Sequence, residues 1–438
     1  MPYHQIVFRH ITKELARRGH EVTVVTTDPM PTEQLPANMT EIDVHDLFEK
    51  LATVINIQME TPNVRKVLRN KDKKYFDLLL LEAICRPLIG LAHMFDAPII
   101  TISSFGAVPH QYEVFGAPMH PLIYPTPGSF RSYNLNFWEK GFELIKYFTS
   151  EYMISSTKDF DVMIMKKTFG NDVPTIEELA KRIQMLFLNE HPIWAENHPI
   201  PPSMVFIGGI HQTDVKELPK DLKNYLDSSN HGVIYVSFGT NVDPSLLPPE
   251  KIEIMTKVFS QLKYNILWKW NNDDLPAVSN NTKISRWFPQ SDLLRHPNIK
   301  LFITQGGLQS TDETINAGVP VIGIPMLGDQ WYNVEKYTAL LMKFYKNNIL
   351  KLRALMREFP IKPLDNAIWW IEHVIKHGGQ HLQSPAARMS WAEYYEIKLV
   401  LIALAISLVI LVLLSYVLRF VLSIAYNIYI TNKKLKSF

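Results

Sequence analysis

The sequence predicts an α/β protein of two doubly wound domains followed by one transmembrane helix. Three observations lead there. Helix-like and strand-like segments alternate through residues 6–103 and again through 233–324. A proline-rich polar stretch, His191 to Ser203, with Gly208-Gly209 close behind, separates the two regions. A run without any charge, Leu399 to Leu418, lies near the end of the chain.

Ile6 to Leu15 place apolar side chains at helical spacing, and Gly19 is suited to close that helix. Glu21 to Thr26 reads as a β-branched strand. Phe76 to Leu81 and Pro98 to Ser103 read as short apolar strands, with Ala83 to Met94 as a helix between them. Such alternation implies parallel strands with helices on both faces. The N-terminal domain is expected over 1–195 and a linker over 196–212. The second domain, 213–345, contains strands at Val233 to Val236, Asn265 to Lys269, Lys283 to Arg286, Ile299 to Thr304 and Val319 to Ile324. Helices are expected at Pro249 to Leu262 and from about Ser310 to Ala317. Within 346–398, Leu350 to Met356 and Asn366 to His377 read as helices that cross back over the first domain.

A chain of 438 residues is long enough for two separate cores. A net charge of +2 supplies no basic field for nucleic acid. At about 1.5 Å per residue, the 399–418 run spans a bilayer core of roughly 30 Å. Arg419, Lys433, Lys434 and Lys436 follow it without an acidic residue, whereas Glu393 and Glu396 precede it with Lys398. The positive-inside rule then puts the 419–438 tail in the cytosol and the body in a lumen, with Trp391, Tyr394 and Tyr395 as the interfacial belt. The tail Lys434-Leu-Lys436-Ser-Phe438 is similar to a dilysine retrieval signal, which points to the endoplasmic reticulum membrane. Cys85 is the single cysteine, so no internal disulfide forms. Asn38-Met-Thr40 and Asn280-Asn-Thr282 match the glycosylation triplet.

The densest chemistry lies between Trp287 and Gln330. In an open parallel sheet, ligands sit beyond the carboxyl ends of strands. The strand ending at Thr304 runs into Gln305-Gly306-Gly307 and then a helix. Glycines let the backbone approach a ligand closely, and the helix N-terminus favours an anion such as a diphosphate. Gln305, Gln309 and Glu313 are spaced by four. If the helix begins at the turn they share a side, donating to phosphate at one end and accepting from ribose hydroxyls at the other; the same spacing also describes a solvated helix face. Trp287 ends a strand where it can stack on a base, and Gln290 can read the edge of that base. Asp329 and Gln330 suit sugar hydroxyls. Ser237-Phe-Gly-Thr240, after the first strand of the domain, adds hydroxyl donors.

Residues 287–333, WFPQSDLLRHPNIKLFITQGGLQSTDETINAGVPVIGIPMLGDQWYN, resemble the signature of the UDP-glycosyltransferases, the family that includes the animal UDP-glucuronosyltransferases. The likeness extends to His4 with Phe8-Arg9, Leu15 to His20, Phe238-Gly239, Ser384 to Ala387 and the terminal span, and the wording from Gln305 to Thr311 is most similar to arthropod members. It implies a GT-B fold with the acceptor in the N-terminal domain and the UDP-sugar in the C-terminal one. It further implies inversion at the anomeric carbon, no metal and no cofactor beyond the donor substrate, UDP-glucose or UDP-glucuronic acid. By the same match Trp287 stacks on uracil and Gln290 supports uracil or ribose. Glu313 holds ribose hydroxyls. Ser237, Gln305, Gln309 and Ser310, with the Gly307 backbone, face the diphosphate, and Asp329 and Gln330 hold the sugar. Many relatives carry His where Gln305 stands. His4 matches the general base, whose imidazole titrates near pH 6.5. Glu82 stands where the family has the aspartate that orients it; Asp77, at the start of that strand, is a fallback.

The resemblance also implies a leader and a first strand before His4, so the chain is expected to be truncated at its N-terminus. After Tyr337 it is expected to be shorter than relatives by several dozen residues. The expected activity is sugar transfer to a small lipophilic hydroxyl compound, with glucose favoured by the arthropod likeness. Methionines and aromatics from Phe105 to Phe137 are candidates for an adaptable acceptor pocket. The rival reading is an inactive, membrane-bound relative that binds a ligand or partner. A nicotinamide enzyme is disfavoured because no Gly-x-Gly-x-x-Gly follows a strand. Oligomeric state is not fixed; a homo-oligomer is compatible with the sequence.

Overall fold

A computed structural model describes residues 2–26, 30–43, 59, 61–70, 72–129, 131–240, 242–272, 275, 278–341, 345–358 and 360–435. Residues Met1–Ser384 form one compact unit and Pro385–Phe438 another.

The first unit contains three all-parallel sheets. Strands β1 (Val22–Thr26) and β2 (Met39–Asp43) pair with each other. β3 (Leu79–Glu82), β4 (Ile99–Ser103), β5 (Ile183–Leu188) and β6 (Met204–Phe206) form a four-stranded sheet in that order. β7 (Val233–Ser237), β8 (Asn265–Lys269), β9 (Thr282–Ser285), β10 (Ile299–Thr304) and β11 (Val321–Gly323) form a five-stranded sheet ordered β11-β10-β7-β8-β9. Parallel sheets are covered on both faces, which is why β4 and β7 are mostly apolar without alternation; every residue of each is buried. In the five-stranded sheet the chain first steps outward from β7 to β8 and β9, then returns to the other side as β10 and β11. The reversal lies between β7 and β10, and ligands bind at the carboxyl ends of strands at such a point.

Helix α1 (Pro2–Arg17) buries Val7, Ile11 and Leu15, and Gly19 beyond it has φ +96°. Further along are α2 (Pro109–Phe115), α3 (Phe137–Ser156), α4 (Gln290–Leu294), α5 (Leu308–Ala317), α6 (Gln330–Leu341), α7 (Tyr345–Arg357), α8 (Pro363–His377) and α9 (Ile397–Leu435). Helix α8 returns to the N-terminal sheet: Ala367, Ile368, Ile371 and Val374 join Val7, Ile11, Ile100, Ile102 and Phe187 in one core. A second core under the five-stranded sheet unites Trp194, Tyr235, Phe302, Ile315 and Ile349.

Several expectations change. The stretch 83–94 is not one helix but a 3-10 turn, Arg86–Gly90, followed by a single helical turn, Leu91–Met94. Pro87 lacks an N–H and restrains the residue before it, which blocks a continuous helix there. Within the expected linker, Met204–Phe206 is β6, so the N-terminal sheet extends past residue 195. Tyr112, Phe115 and Met119 pack into a buried cluster rather than an open acceptor pocket. Asn38 donates its amide to the carbonyls of Ala16 and His20 at 2.7 Å each, so that glycosylation triplet is occupied internally. Helix α3, unexpected from the sequence reading, starts with a capping box in which the Asn136 side chain accepts from Trp138 N and Glu139 N.

In the second unit, α9 runs for 39 residues. Its apolar portion, Ile397–Asn427, has a mean hydropathy of 3.1 and is fully exposed, and it extends beyond the expected 399–418. Among the described residues it is the helix long and apolar enough to cross a bilayer.

Ile371, fully buried where α8 meets the N-terminal core, tests that docking. Ile371→Ala should destabilise the detergent-solubilised chain by about 2–5 kcal/mol in urea titration. A loss below about 0.5 kcal/mol would show that α8 contributes little there.

Candidate active site

The strand ends around the β7–β10 reversal bring most of the expected residues together. β7 ends at Ser237, 2% exposed, and Gly239 follows with φ +74°. A Cβ on Gly239 would collide with Gln305 Nε2, so glycine lets the two strand ends close on each other. Gln305, just beyond β10, is buried, and its Oε1 has no hydrogen-bond partner among the described residues. Gly306 (φ +86°) turns the chain so that Gly307 becomes the N-cap of α5; a Cβ at Gly306 would press into Val334. No side chain caps α5, which leaves its first-turn N–H groups directed at the strand ends, where an anion would be held.

Helix α5 begins at Leu308, so Gln305 lies before it and does not share its face with the other two. Gln309 and Glu313 remain one turn apart on α5. Gln290, at the start of α4, donates to Ser310 Oγ at 3.0 Å and to Glu313 Oε2 at 2.7 Å, and accepts from the Tyr235 hydroxyl at 3.2 Å. The Gln290 amide is therefore committed to orienting Glu313 rather than aimed at a base edge. Burial pushes the Glu313 carboxyl up to about 7, against the lowering effect of Gln290 and Arg295. Trp287 is 66% exposed, a platform ready for stacking, with Lys269 Nζ 5.3 Å from its ring centroid.

On the other side, Asp329 Oδ2 accepts from Asn333 Nδ2 at 2.7 Å. The same amide nitrogen donates to Gly306 O at 2.9 Å, and Asn333 Oδ1 accepts from Trp194 Nε1 at 3.1 Å. Asn333 thus ties Asp329, the glycine turn and the segment after β5 into one unit. Gln330 is 4% exposed, and its Oε1 accepts from Met326 N at 2.9 Å and Leu327 N at 2.8 Å; its amide N–H groups are what it can offer a sugar.

Beside Asp329 lies an ionic group centred on the fully buried Lys336. Lys336 reaches the Trp194 carbonyl, stands 3.9 Å from Glu190 and 3.6 Å from Glu196, and sits over the Tyr332 ring. Burial outweighs the Lys336 charge and, with repulsion from Asp329, lifts Glu190 to about 7. Glu82 ends β3 and accepts from Ser104 Oγ at 2.7 Å. His4 falls within α1, but its side chain lies outside the described residues.

Sequence reasoning missed Asn333, Lys269 and Trp194. Asn333 follows Asp329 by one helical turn, a spacing that could have flagged it. Lys269 ends the buried strand β8; its Nζ donates to Gly239 O at 2.7 Å, and burial lowers its pKa to about 8. A lysine closing an apolar strand is the signal it offered. Nothing local marks Trp194.

The family described as "UDP-glucoronosyl and UDP-glucosyl transferase" matches residues 31–342 and 338–434. The two matched stretches meet at 338–342, where the sequence suggests a shortened segment. An ecdysteroid UDP-glucosyltransferase of Spodoptera littoralis nuclear polyhedrosis virus is 33% identical, over 91% of this chain and 91% of that protein. UDP-glucosyltransferase 2 of Dactylopius coccus is 31% identical, over 88% and 84%. The solved structure of a UDP-glucose:anthocyanidin 3-O-glucosyltransferase in complex with UDP superposes with a TM-score of 0.58 at 14% identity, covering 85% of this chain and 96% of that one.

Two substitutions test the geometry. Asn333→Ala removes the shared partner of Asp329, Gly306 and Trp194, and should lower UDP affinity by at least about tenfold in calorimetry, because buried polar groups lose their bonds. Trp287→Ala should weaken UDP binding by about tenfold to a hundredfold, as expected for a lost stacking contact of about 1–3 kcal/mol, while Trp287→Phe retains most of it. Unchanged affinity in either alanine variant would place the nucleotide elsewhere.

Proposed function

Because this chain belongs to the UDP-glycosyltransferase family and is a glycosyltransferase using a UDP-sugar, we propose that it transfers glucose, with inversion, from UDP-glucose to a hydroxyl of a small lipophilic acceptor. The observation that carries the reading is the convergence of the uncapped α5 N-terminus, the Gln290–Glu313 pair and the Asp329–Asn333 pair at the reversal of the five-stranded sheet. In this reading Trp287 stacks on uracil, Glu313 accepts from ribose hydroxyls, and Ser237, Gln305, Gln309, Ser310 and the Gly307 backbone face the diphosphate. Asp329 accepts from sugar hydroxyls, beside donors from Gln330. Glucose is preferred to glucuronic acid because Asp329 is already repelled by Glu190, and a carboxylate on the sugar would add to that repulsion. Relatives named for glucosyl transfer, several of them to ecdysteroids, support glucose and a steroid-sized acceptor.

The transfer is a single displacement without a metal. His4, steadied by Glu82, takes the acceptor hydroxyl proton as that oxygen bonds to the anomeric carbon. The bond from that carbon to the β-phosphate oxygen breaks, and UDP leaves with its charge held at the α5 N-terminus. Helix α9 anchors the enzyme in the endoplasmic reticulum membrane, with the body lumenal and the tail cytosolic. The competing reading, an inactive membrane-bound binder, draws on the exposed apolar rim of Ile322, Ile324, Leu327 and Trp331 beside the edge strand β11.

Microsomes containing the chain should glucosylate hydroxylated steroids or phenols from UDP-glucose, giving the β-anomer by NMR, and should use UDP-glucuronic acid poorly. His4→Ala should lower kcat by more than about a hundredfold. UDP binding without turnover would favour the inactive reading. Folding holds the Glu313 pKa near 7, above its ordinary value, so its contribution to the stability of the unliganded protein is largest at acid pH and is lost as pH rises through about 7. Ribose hydroxyls need the ionised carboxylate, so UDP affinity should fall as pH drops below about 7, whereas Glu313→Gln should bind weakly with a flat pH profile. A flat wild-type profile would remove Glu313 from ribose binding.

A further inference from the structure

In the N-terminal domain, away from the nucleotide residues, His110 and Glu113 lie one turn apart on α2, and Glu151 faces them from α3. One ligand atom from each lies within 4.8 Å of the others. Two observations set this trio apart from a chance cluster. Glu151 Oε1 is buried and has no hydrogen-bond partner among the described residues, although an ionised oxygen out of water needs one. Glu113 Oε1 accepts from the Tyr147 hydroxyl at 3.1 Å, the kind of outer partner that orients a ligating carboxylate. Tyr147 and Glu151 are one turn apart on α3, so the ligand and the residue that orients its neighbour share a face.

Burial and the Glu113 charge lift the Glu151 pKa, against a bond from the His110 backbone that lowers it. Burial lowers the His110 pKa, and the charges of Arg86 and Lys158 lower it further. The nearest cations already have partners: Arg86 pairs with Asp161, and Lys158 with Glu177 at 2.8 Å.

We propose that His110, Glu113 and Glu151 form a site for one divalent cation of the zinc class, which clamps α2 to α3. One imidazole and two carboxylates are a donor set suited to zinc, with water as the fourth ligand. Bonds of about 2.0–2.2 Å require ligand atoms about 3.4 Å apart, so the trio closes by roughly an ångström on binding. The site's role is to hold the two helices together, and it does not depend on the proposed transfer reaction.

The test uses the full chain in detergent and Zn²⁺ as the probe. His373 and His381 carry ring nitrogens 3.1 Å apart on the surface and would take zinc themselves, so the background is His373→Ala with His381→Ala. That background should retain one zinc per chain through gel filtration and melt several degrees higher with zinc. Glu151→Gln, which preserves shape, and His110→Ala should each weaken zinc binding by more than about tenfold, with UDP affinity unchanged as proof of folding. Zinc lost entirely in the surface-histidine background, or bound equally by Glu151→Gln, overturns the site.

Discussion

The cluster of strand ends around the β7–β10 reversal depends on one buried side chain, Asn333. It is 2% exposed and makes three hydrogen bonds, to Asp329, the Gly306 carbonyl and the Trp194 indole. An amide suits this position because it offers donors and an acceptor at once. A carboxylate could not donate to Gly306, and an aliphatic residue would remove all three bonds. Through Asn333 the glycine turn that opens α5 is held in register with the carboxylate of the next strand end, and both are tied to the segment after β5. Tyr332 adds a second tie at 2.9 Å to the carbonyl of Pro125.

Around that node the protein keeps charge out of water at some cost. Glu190, Lys336 and Glu313 are all ionisable groups whose burial opposes ionisation. Lys336 is fully buried yet surrounded by a carbonyl, two carboxylates and an aromatic face. Such a group holds the two halves of the unit in one arrangement, because separating them would strand an unpaired charge. Glu313 is different: the neutral Gln290 amide holds it rather than a lysine, and burial raises its pKa.

The C-terminal part of the first unit follows packing rather than chemistry. Helix α7 lies against α5 through Ile349 and Arg353, where Arg353 donates to the Ala317 carbonyl at 3.4 Å, and α8 then crosses to the N-terminal core. The edge strand β11 is short, three residues, with apolar side chains exposed along and beyond it. An edge of that kind invites pairing with another chain.

The residues by themselves determined a good deal. Unbroken apolar runs such as Val233–Val236 marked buried parallel strands, because a strand covered on both faces has no polar side. The glycines after Thr304 marked a tight turn at the strand end, and Gly306 does take a positive φ there. The uncharged run near the end marked the long exposed helix. Tertiary structure decided what depends on distant partners. Whether Gln290 meets a base or Glu313, whether Gln305 joins the helix or packs on Gly239, and whether Tyr112 and Met119 line a pocket or fill a core are questions of packing across the sheet. Asn333 and Trp194 stand 139 positions apart and bond only because the segment after β5 packs into the core of the five-stranded sheet; no local pattern encodes a contact whose halves are chosen by the fold.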